Sequence, residues 1–113
     1  MKLWEKQCVF AQNVSALIHE ISRANMACTL GEVYRTAEQA SIYALQGKGI
    51  KNSLHCRKLA IDIQLFTKEG DYLATPKDYE PFGIIWKNLH PLNEWGGDWK
   101  TLVDACHFQM KDE

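Results

Sequence analysis

The sequence predicts a single α+β domain in which a small, mostly antiparallel sheet is flanked by about three helices. Three features lead to this prediction: an apolar stripe at helical spacing near the N-terminus, a central segment in which apolar and polar residues alternate, and short strand-like segments beside turn residues. No repeat, linker or charge block interrupts the 113 residues, so we expect one domain over residues 1–113.

The first half of the chain predicts two helices and one strand. Over residues 8–21, apolar side chains recur at steps of three and four, which is typical of a helix with one buried face. Residues 32–35 follow a glycine and are predicted to form a short strand. Thr36 and Gln39 then form a capping-box pattern, so we expect a second helix over residues 36–46.

The second half predicts further strands and a third helix. Residues 58–66 place alternate apolar side chains on one face of a strand, and residues 68–74 contain turn residues followed by a returning strand. Asp78 is the expected N-cap of the third helix, with Pro81 in its first turn. A final strand is predicted at residues 107–110.

Composition and charge exclude several classes of protein. The chain has 13 Lys and Arg against 14 Asp and Glu, whereas a nucleic-acid-binding protein normally has a basic excess. No apolar run reaches the length of a membrane span, and the N-terminal residues lack the apolar core of a signal peptide. We therefore expect a protein made in the cytoplasm, without nucleic-acid binding or membrane insertion, and we expect a monomer.

Two histidines and two aspartates form a pattern that suits a metal. His55 follows a glycine-containing loop, and Asp62 lies seven residues later in the predicted strand. On a straight strand these two side chains point to opposite faces, so a shared metal requires a bend between them. His107 would complete a His/Asp/His set with an open fourth position, as in catalytic zinc sites. Asp104 would then stand where a general base is needed.

Taken together, these residues resemble those of a known family. The chain is similar to zinc peptidases of the D-alanyl-D-alanine carboxypeptidase type, and most like single-domain phage endolysins that act as L-alanyl-D-glutamate peptidases. The resemblance spans about residues 33–110. Its motifs, in chain order, are Tyr34-Arg35-Thr36 with Gln39, Ser53-x-His55-x6-Asp62, Glu94-Trp95-Gly96-Gly97-Asp98-Trp99 and Asp104-x-x-His107-Phe108.

The resemblance implies a role for each of five residues. His55, Asp62 and His107 would bind one zinc ion. Asp104 would be the general base that takes a proton from the attacking water. Arg35 would hold the substrate carbonyl or the negative charge that develops on its oxygen.

Other residues of the motifs are expected around this set. Gln39 and Ser53 would lie outside the ligand set and orient the ligand side chains. Trp99 flanks the double glycine, as Trp95 does, and each would line a substrate groove or pack against the sheet. The family usually has glycine where this chain has Lys58, so we expect Lys58 to make the bend in an ordinary backbone region, or the register to differ.

Two cysteines are direct neighbours of proposed ligands: Cys56 follows His55, and Cys106 precedes His107. Successive residues of a strand face opposite ways, so we expect both thiols to be buried in the core. A zinc site that contains cysteine is one alternative, because thiolate is a good zinc ligand. A disulfide between the two cysteines is another.

The function expected from the resemblance is that of a zinc-dependent peptidoglycan peptidase, a phage or prophage endolysin. It would cut the stem peptide between L-alanine and D-glutamate with a zinc-activated water. An endolysin needs no signal peptide, since it stays in the host cytoplasm until release and then acts on the cell wall. The alternative within the family is a D-alanyl-D-alanine carboxypeptidase or dipeptidase. The alternative outside it is a non-catalytic, zinc-stabilised wall-binding or structural module.

Overall fold

The structure is a computed structural model that describes residues 1–50 and 52–112. The predicted α+β class is confirmed, and the described residues form one compact domain. The helices are α1 (Leu3–Arg23), α2 (Ala37–Leu45) and α3 (Pro76–Leu89), with single 3₁₀ turns at Leu54–Arg57 and Gly96–Asp98. The strands are β1 (Ala27–Leu30), β2 (Ala60–Phe66), β3 (Tyr72–Leu73), β4 (Asn93–Trp95) and β5 (His107–Met110).

All pairings between these strands are antiparallel, in the order β1-β2-β5-β4, and β3 pairs with the end of β2. β2 is therefore the central strand, and it pairs with both β1 and the C-terminal strand β5. Among the helices within the described ranges, none is both long and apolar enough to cross a membrane.

The sheet separates an apolar core from a polar face. In β2 alternate apolar side chains enter the core, as predicted, whereas Asp62 lies on the other face. In β5, Phe108 is buried in the core and His107 lies opposite Asp62. The core contains Phe10, Leu17 and Ile21 of α1, Tyr79, Phe82 and Trp86 of α3, and Ile61, Ile63, Leu65, Trp95, Phe108 and Met110 of the sheet.

The prediction of a strand at residues 32–35 is wrong, because the strand lies earlier, at Ala27–Leu30. After β1 the pairing continues briefly: the Gly31 N–H donates to the Asp62 carbonyl, and the Asp62 N–H donates to the Glu32 carbonyl. The chain then leaves β2, and the Arg35 N–H donates instead to the carbonyl of His55. This segment therefore links β2 to the turn that contains His55.

Two of the three helices, α1 and α3, begin earlier than predicted. The N-cap of α3 is Thr75 rather than Asp78, and Asp78 occupies the third helical position of a reciprocal capping box. Pro76 fills the first helical position, where a missing N–H costs nothing. α1 begins at Leu3, before the predicted start, and β4 is a strand that the sequence pattern did not predict. α2 begins after Thr36, as predicted.

The bend expected between His55 and Asp62 occurs at Lys58, but the backbone conformation of Lys58 is not the expected one. Lys58 has φ 56° and ψ 38°, in the left-handed region, and it ends the 3₁₀ turn just before β2. The expectation of an ordinary backbone region or a shifted register is therefore wrong. An L-residue in this region costs about 1–2 kcal/mol, which glycine avoids.

We expect Lys58→Gly to be more stable than Lys58→Ala by about 1 kcal/mol, because both variants lose the side chain and only glycine relieves the strain. Lys58→Ala is the right reference because it also removes the contact between the ammonium and the Tyr34 ring, 5.5 Å apart. The free energy of unfolding by urea measures the difference.

The matched control is the same pair of substitutions at Glu80, an exposed residue inside α3. There glycine should be the less stable variant, by about 1 kcal/mol. Alanine equal to or better than glycine at position 58 would contradict the strained conformation.

Candidate metal centre

Three side chains from separate parts of the chain meet on the polar face of the sheet. The Asp62 Oδ1 atom lies 3.4 Å from His55 Nε2 and 3.2 Å from His107 Nδ1. The potential ligand atoms of the three residues all lie within 4.8 Å of one another. Both histidines are buried, and Asp62 is partly buried. The predicted set of His55, Asp62 and His107 therefore comes together in space.

The sheet register and one tight turn produce this convergence. Asp62 and His107 are directly opposite each other in the antiparallel pair β2–β5, so their side chains share a face. His55 reaches the same point because the 3₁₀ turn precedes the bend at Lys58. The buried Ser53 hydroxyl accepts a hydrogen bond from the His55 N–H at 3.2 Å and caps that turn.

The hydrogen bonds of the outward-facing ring nitrogens indicate where the imidazole protons lie. His55 Nδ1 is 3.2 Å from the Val33 carbonyl oxygen, and His107 Nε2 is 2.7 Å from Gln109 Oε1. Both partners are acceptors, so each outward nitrogen carries a hydrogen when the ring is neutral. The inward nitrogens are then bare and face the Asp62 carboxylate. Three lone pairs that face one another in this way fit a cation, and imidazole with carboxylate suits zinc.

The electrostatics of the cluster are those of a negative site that attracts positive charge. Burial alone would raise the pKa of Asp62, but hydrogen bonds with His107 and His55, and their charge, hold that pKa well below its usual range. Burial alone would lower the pKa of His107, but its bonds to Asp62 and Gln109 and the charges of Asp62 and Asp104 raise it. Without a metal, His107 therefore holds its second proton more tightly than an ordinary imidazole does.

A cavity of about 990 Å³ opens over the cluster. Asp62, His107 and Gln109 of the sheet meet two loops there. The lining comprises residues 47–50, 52–55 and 99–104 together with Arg35, Asp62, His107 and Gln109. Asp104, Arg35, Ser53 and Trp99 were all predicted around this site, and all four line the cavity.

Asp104 lies at the edge of the cluster on a loop that Gly96 holds. One of its carboxylate oxygens is within 4.8 Å of the Asp62 carboxylate. The Asp104 N–H donates to the Gly96 carbonyl, and the Asp104 carbonyl accepts from the His107 N–H. A Cβ atom at position 96 would lie 2.2 Å from the Asp104 carbonyl oxygen, so only glycine fits there. The double-glycine segment thus positions the loop that bears Asp104.

Arg35 enters the cavity with its guanidinium held by Glu32. Its Nε donates to Glu32 Oε1 at 2.6 Å, and its guanidinium carbon lies 4.9 Å from the centre of the Tyr43 ring. Glu32 is also 3.9 Å from His55 Nδ1, so it belongs to the surroundings of the site. The sequence prediction did not identify Glu32. Its spacing of three residues from Arg35 was the available signal.

The two tryptophans that flank the double glycine have different roles. Trp95 is buried in the core and donates from Nε1 to the Ala105 carbonyl. Trp99 lines the cavity, with its ring centre 5.0 Å from that of His107. Gln39 does not line the cavity, and its N–H donates to the Thr36 hydroxyl at the start of α2.

The cysteine expectations need correction. All four cysteines, each within the described ranges, are free, so the disulfide alternative is wrong. Cys56 and Cys106 are half-buried rather than enclosed in the core, because Cys56 lies in the 3₁₀ turn and Cys106 precedes β5, where strand alternation does not apply. The Cys106 thiol lies 3.3 Å from Asp104 Oδ1. Burial and the charges of Asp104 and Asp62 raise the pKa of Cys106 to about 12, which disfavours a thiolate.

Comparison with known proteins agrees with this geometry. Residues 46–110 match the D-alanyl-D-alanine carboxypeptidase family, and this stretch contains His55, Asp62, Asp104 and His107. The crystal structure of the Serratia marcescens L-Ala D-Glu endopeptidase ChiX has a similar fold, with a TM-score of 0.65. The two sequences are 23% identical over 76% of this chain and 68% of that chain.

The matched stretch is longer than half of the 113-residue chain. Peptidases of this family are zinc-dependent, and the His/Asp/His cluster lies inside the match. The predicted resemblance is therefore confirmed: the chain belongs to the D-alanyl-D-alanine carboxypeptidase family and is a metallopeptidase.

Proposed function

We propose that this protein is a zinc-dependent peptidoglycan peptidase that cuts the stem peptide between L-alanine and D-glutamate. The observation that supports the proposal most directly is the convergence of His55, Asp62 and His107 beneath a cavity that also contains Asp104 and Arg35. A cavity of this size accommodates several residues of an extended peptide.

In this proposal His55, Asp62 and His107 hold the zinc ion. Zinc bound there would acidify a water molecule and polarise the scissile carbonyl. The Val33 carbonyl and the Gln109 amide hold the two imidazole rings with their bare nitrogens inward. The protein therefore supplies three oriented ligands and leaves the cavity side open to substrate.

Two further residues would act on the reacting groups. Asp104 lies on the cavity side of the cluster, where its carboxylate can take a proton from the attacking water and return it to the leaving amine. Arg35 can stabilise negative charge on the carbonyl oxygen, and its ion pair with Glu32 fixes the guanidinium before substrate arrives. Trp99 covers His107 and keeps water from that side of the ligand.

The choice of bond rests on the printed activity of the structural neighbour, an L-Ala D-Glu endopeptidase. The family description supports a second candidate, a D-alanyl-D-alanine carboxypeptidase or dipeptidase. Both candidates use the same ligands and differ in the residues of the cavity that contact the substrate.

We also propose that the protein is a phage or prophage endolysin that acts as a monomer. The likeness of its motifs to those of single-domain phage endolysins supports this role. In that role it is made in the host cytoplasm and acts on the cell wall after release.

Zinc binding should release protons, and it should weaken as pH falls. The raised pKa of His107 means that the metal-free ring keeps its second proton to a higher pH than an ordinary imidazole does, and zinc must displace that proton. Affinity should therefore rise with pH, by up to about tenfold per unit, and level off above the His107 pKa. Asp62 remains ionised throughout, because its pKa is low, and contributes no change in this range.

Calorimetry in two buffers of different ionisation enthalpy counts the released protons. His19→Gln is the control, because His19 is exposed on α1 and should leave both affinity and proton release unchanged. Zinc affinity that does not depend on pH would contradict the assignment of His107 as a ligand.

The proposed reaction predicts that Asp104→Ala binds zinc but loses peptidoglycan cleavage by about a hundredfold or more. Purified peptidoglycan is digested with each protein, and the fragments are identified by mass spectrometry. The wild type should create new amino ends on D-glutamate, only when zinc is present. Asp98→Ala is the control, since Asp98 is an exposed acid of the same segment that pairs with Lys87.

The outcomes separate the candidate functions. Release of D-alanine alone would favour the carboxypeptidase. Equal cleavage by Asp104→Ala would remove Asp104 from the reaction. Zinc binding by the wild type without any metal-dependent cleavage would favour the non-catalytic module.

A further inference from the structure

A chain of hydrogen bonds runs from the metal centre across the polar face of the sheet to β4. His107 Nε2 is 2.7 Å from Gln109 Oε1, and Gln109 Nε2 donates to Glu94 Oε1 at 2.9 Å. Gln109 therefore links the proposed ligand His107 to the Glu94 carboxylate. Glu94 has no part in the reaction proposed above, and Gln109 enters it only as the side chain that holds the His107 ring.

The chemistry of the three side chains decides which of them donates and which accepts each of these hydrogen bonds. A carboxylate can only accept hydrogen bonds, so Glu94 requires the NH₂ group of Gln109 to face it. The amide oxygen of Gln109 then faces His107 and requires a hydrogen on Nε2. When the ring is neutral, the other ring nitrogen, Nδ1, is consequently bare, and it is the one that lies 3.2 Å from Asp62.

We propose that Glu94 and Gln109 are positioning residues that set the tautomer of His107, so that Nδ1 is available to the metal. The inference rests on the proposed zinc site and adds to it how one ligand is prepared. Neither residue touches the reacting atoms. Their effect passes through the His107 ring.

The backbone fixes the relative position of the two residues. Glu94 and Gln109 are directly opposite each other in the β4–β5 pair. The buried Trp86 side chain donates from Nε1 to both the Glu94 and Gln109 carbonyls, at 3.0 Å each. One core side chain thus holds the two backbones together at this register, which keeps the Gln109 amide within reach of the Glu94 carboxylate.

The test compares zinc dissociation constants in competition with a chromophoric chelator. In Glu94→Gln the new amide at position 94 can either donate to Gln109 or accept from it. The Gln109 amide can then rotate by half a turn, so its oxygen no longer has to face His107. We expect zinc affinity to fall about ten- to a hundredfold. The double variant Glu94→Gln/Gln109→Glu restores a fixed pattern of donors and acceptors, because Glu at 109 can only accept from His107 and Gln at 94 can donate to it. Its affinity should return close to that of the wild type.

Two controls isolate the effect. Glu80→Gln removes the same charge from an exposed position on α3 and should not change affinity. The ¹⁵N shifts of the His107 ring in the zinc-loaded wild type report the tautomer without any substitution, and Nε2 should carry the hydrogen. Circular dichroism confirms that each variant is folded.

The outcomes distinguish this inference from the proposed function. A wild type that binds no zinc overturns both. If the wild type binds zinc, three results overturn the inference alone: a hydrogen on Nδ1 of His107, Glu94→Gln affinity equal to that of Glu80→Gln, or a double variant as weak as Glu94→Gln.

Discussion

The contact on which the site depends is the approach of two imidazole nitrogens to one carboxylate oxygen. Asp62 Oδ1 lies between His55 and His107, at 3.4 and 3.2 Å. Each ring turns its other nitrogen to an acceptor, so the inward atoms bear no hydrogen when the rings are neutral. Such an arrangement is unfavourable unless a proton or a metal cation lies among the lone pairs. The raised pKa of His107 and the lowered pKa of Asp62 are two expressions of that constraint.

Holding this contact explains why the sheet and its turns are built as they are. The β2–β5 register places Asp62 opposite His107, and the apolar side chains on the reverse face anchor both strands to α1 and α3. His55 lies seven residues before Asp62, and this odd spacing would put the two side chains on opposite faces of a straight strand. A sharp change of direction is required, and Lys58 provides it at the cost of a left-handed backbone. Backbone strain at this point thus accompanies the alignment of a proposed ligand.

Local patterns in the sequence were sufficient for the elements whose signals are local. The alternation in β2 and the Thr36 cap of α2 were predicted, because a strand with one buried face and a helix start each have a short pattern. β4 was missed, since three residues give too little alternation to detect. The third helix was predicted to begin late, because Asp78 is a good cap in isolation, whereas in the structure it pairs with the true cap, Thr75.

The candidate site was predictable in a different way. Spacing alone showed only that His55 and Asp62 need a bend, and the resemblance to a family supplied the grouping with His107. Contacts that depend on strand register or on the path of a loop could not be predicted from the sequence. The bond from Gln109 to Glu94 across β4–β5 and the bond from the Arg35 N–H to the His55 carbonyl are of this kind. Such contacts join residues whose proximity is fixed by folding rather than by a motif.

The central claim is that the metal is held by two imidazoles and one carboxylate, without cysteine. Zinc K-edge X-ray absorption of the zinc-loaded protein tests this most directly. We expect nitrogen and oxygen neighbours at about 2.0–2.2 Å, with the outer-shell scattering of imidazole, and the same spectrum from Cys106→Ser. A sulfur neighbour at about 2.3 Å that disappears in Cys106→Ser would contradict the account.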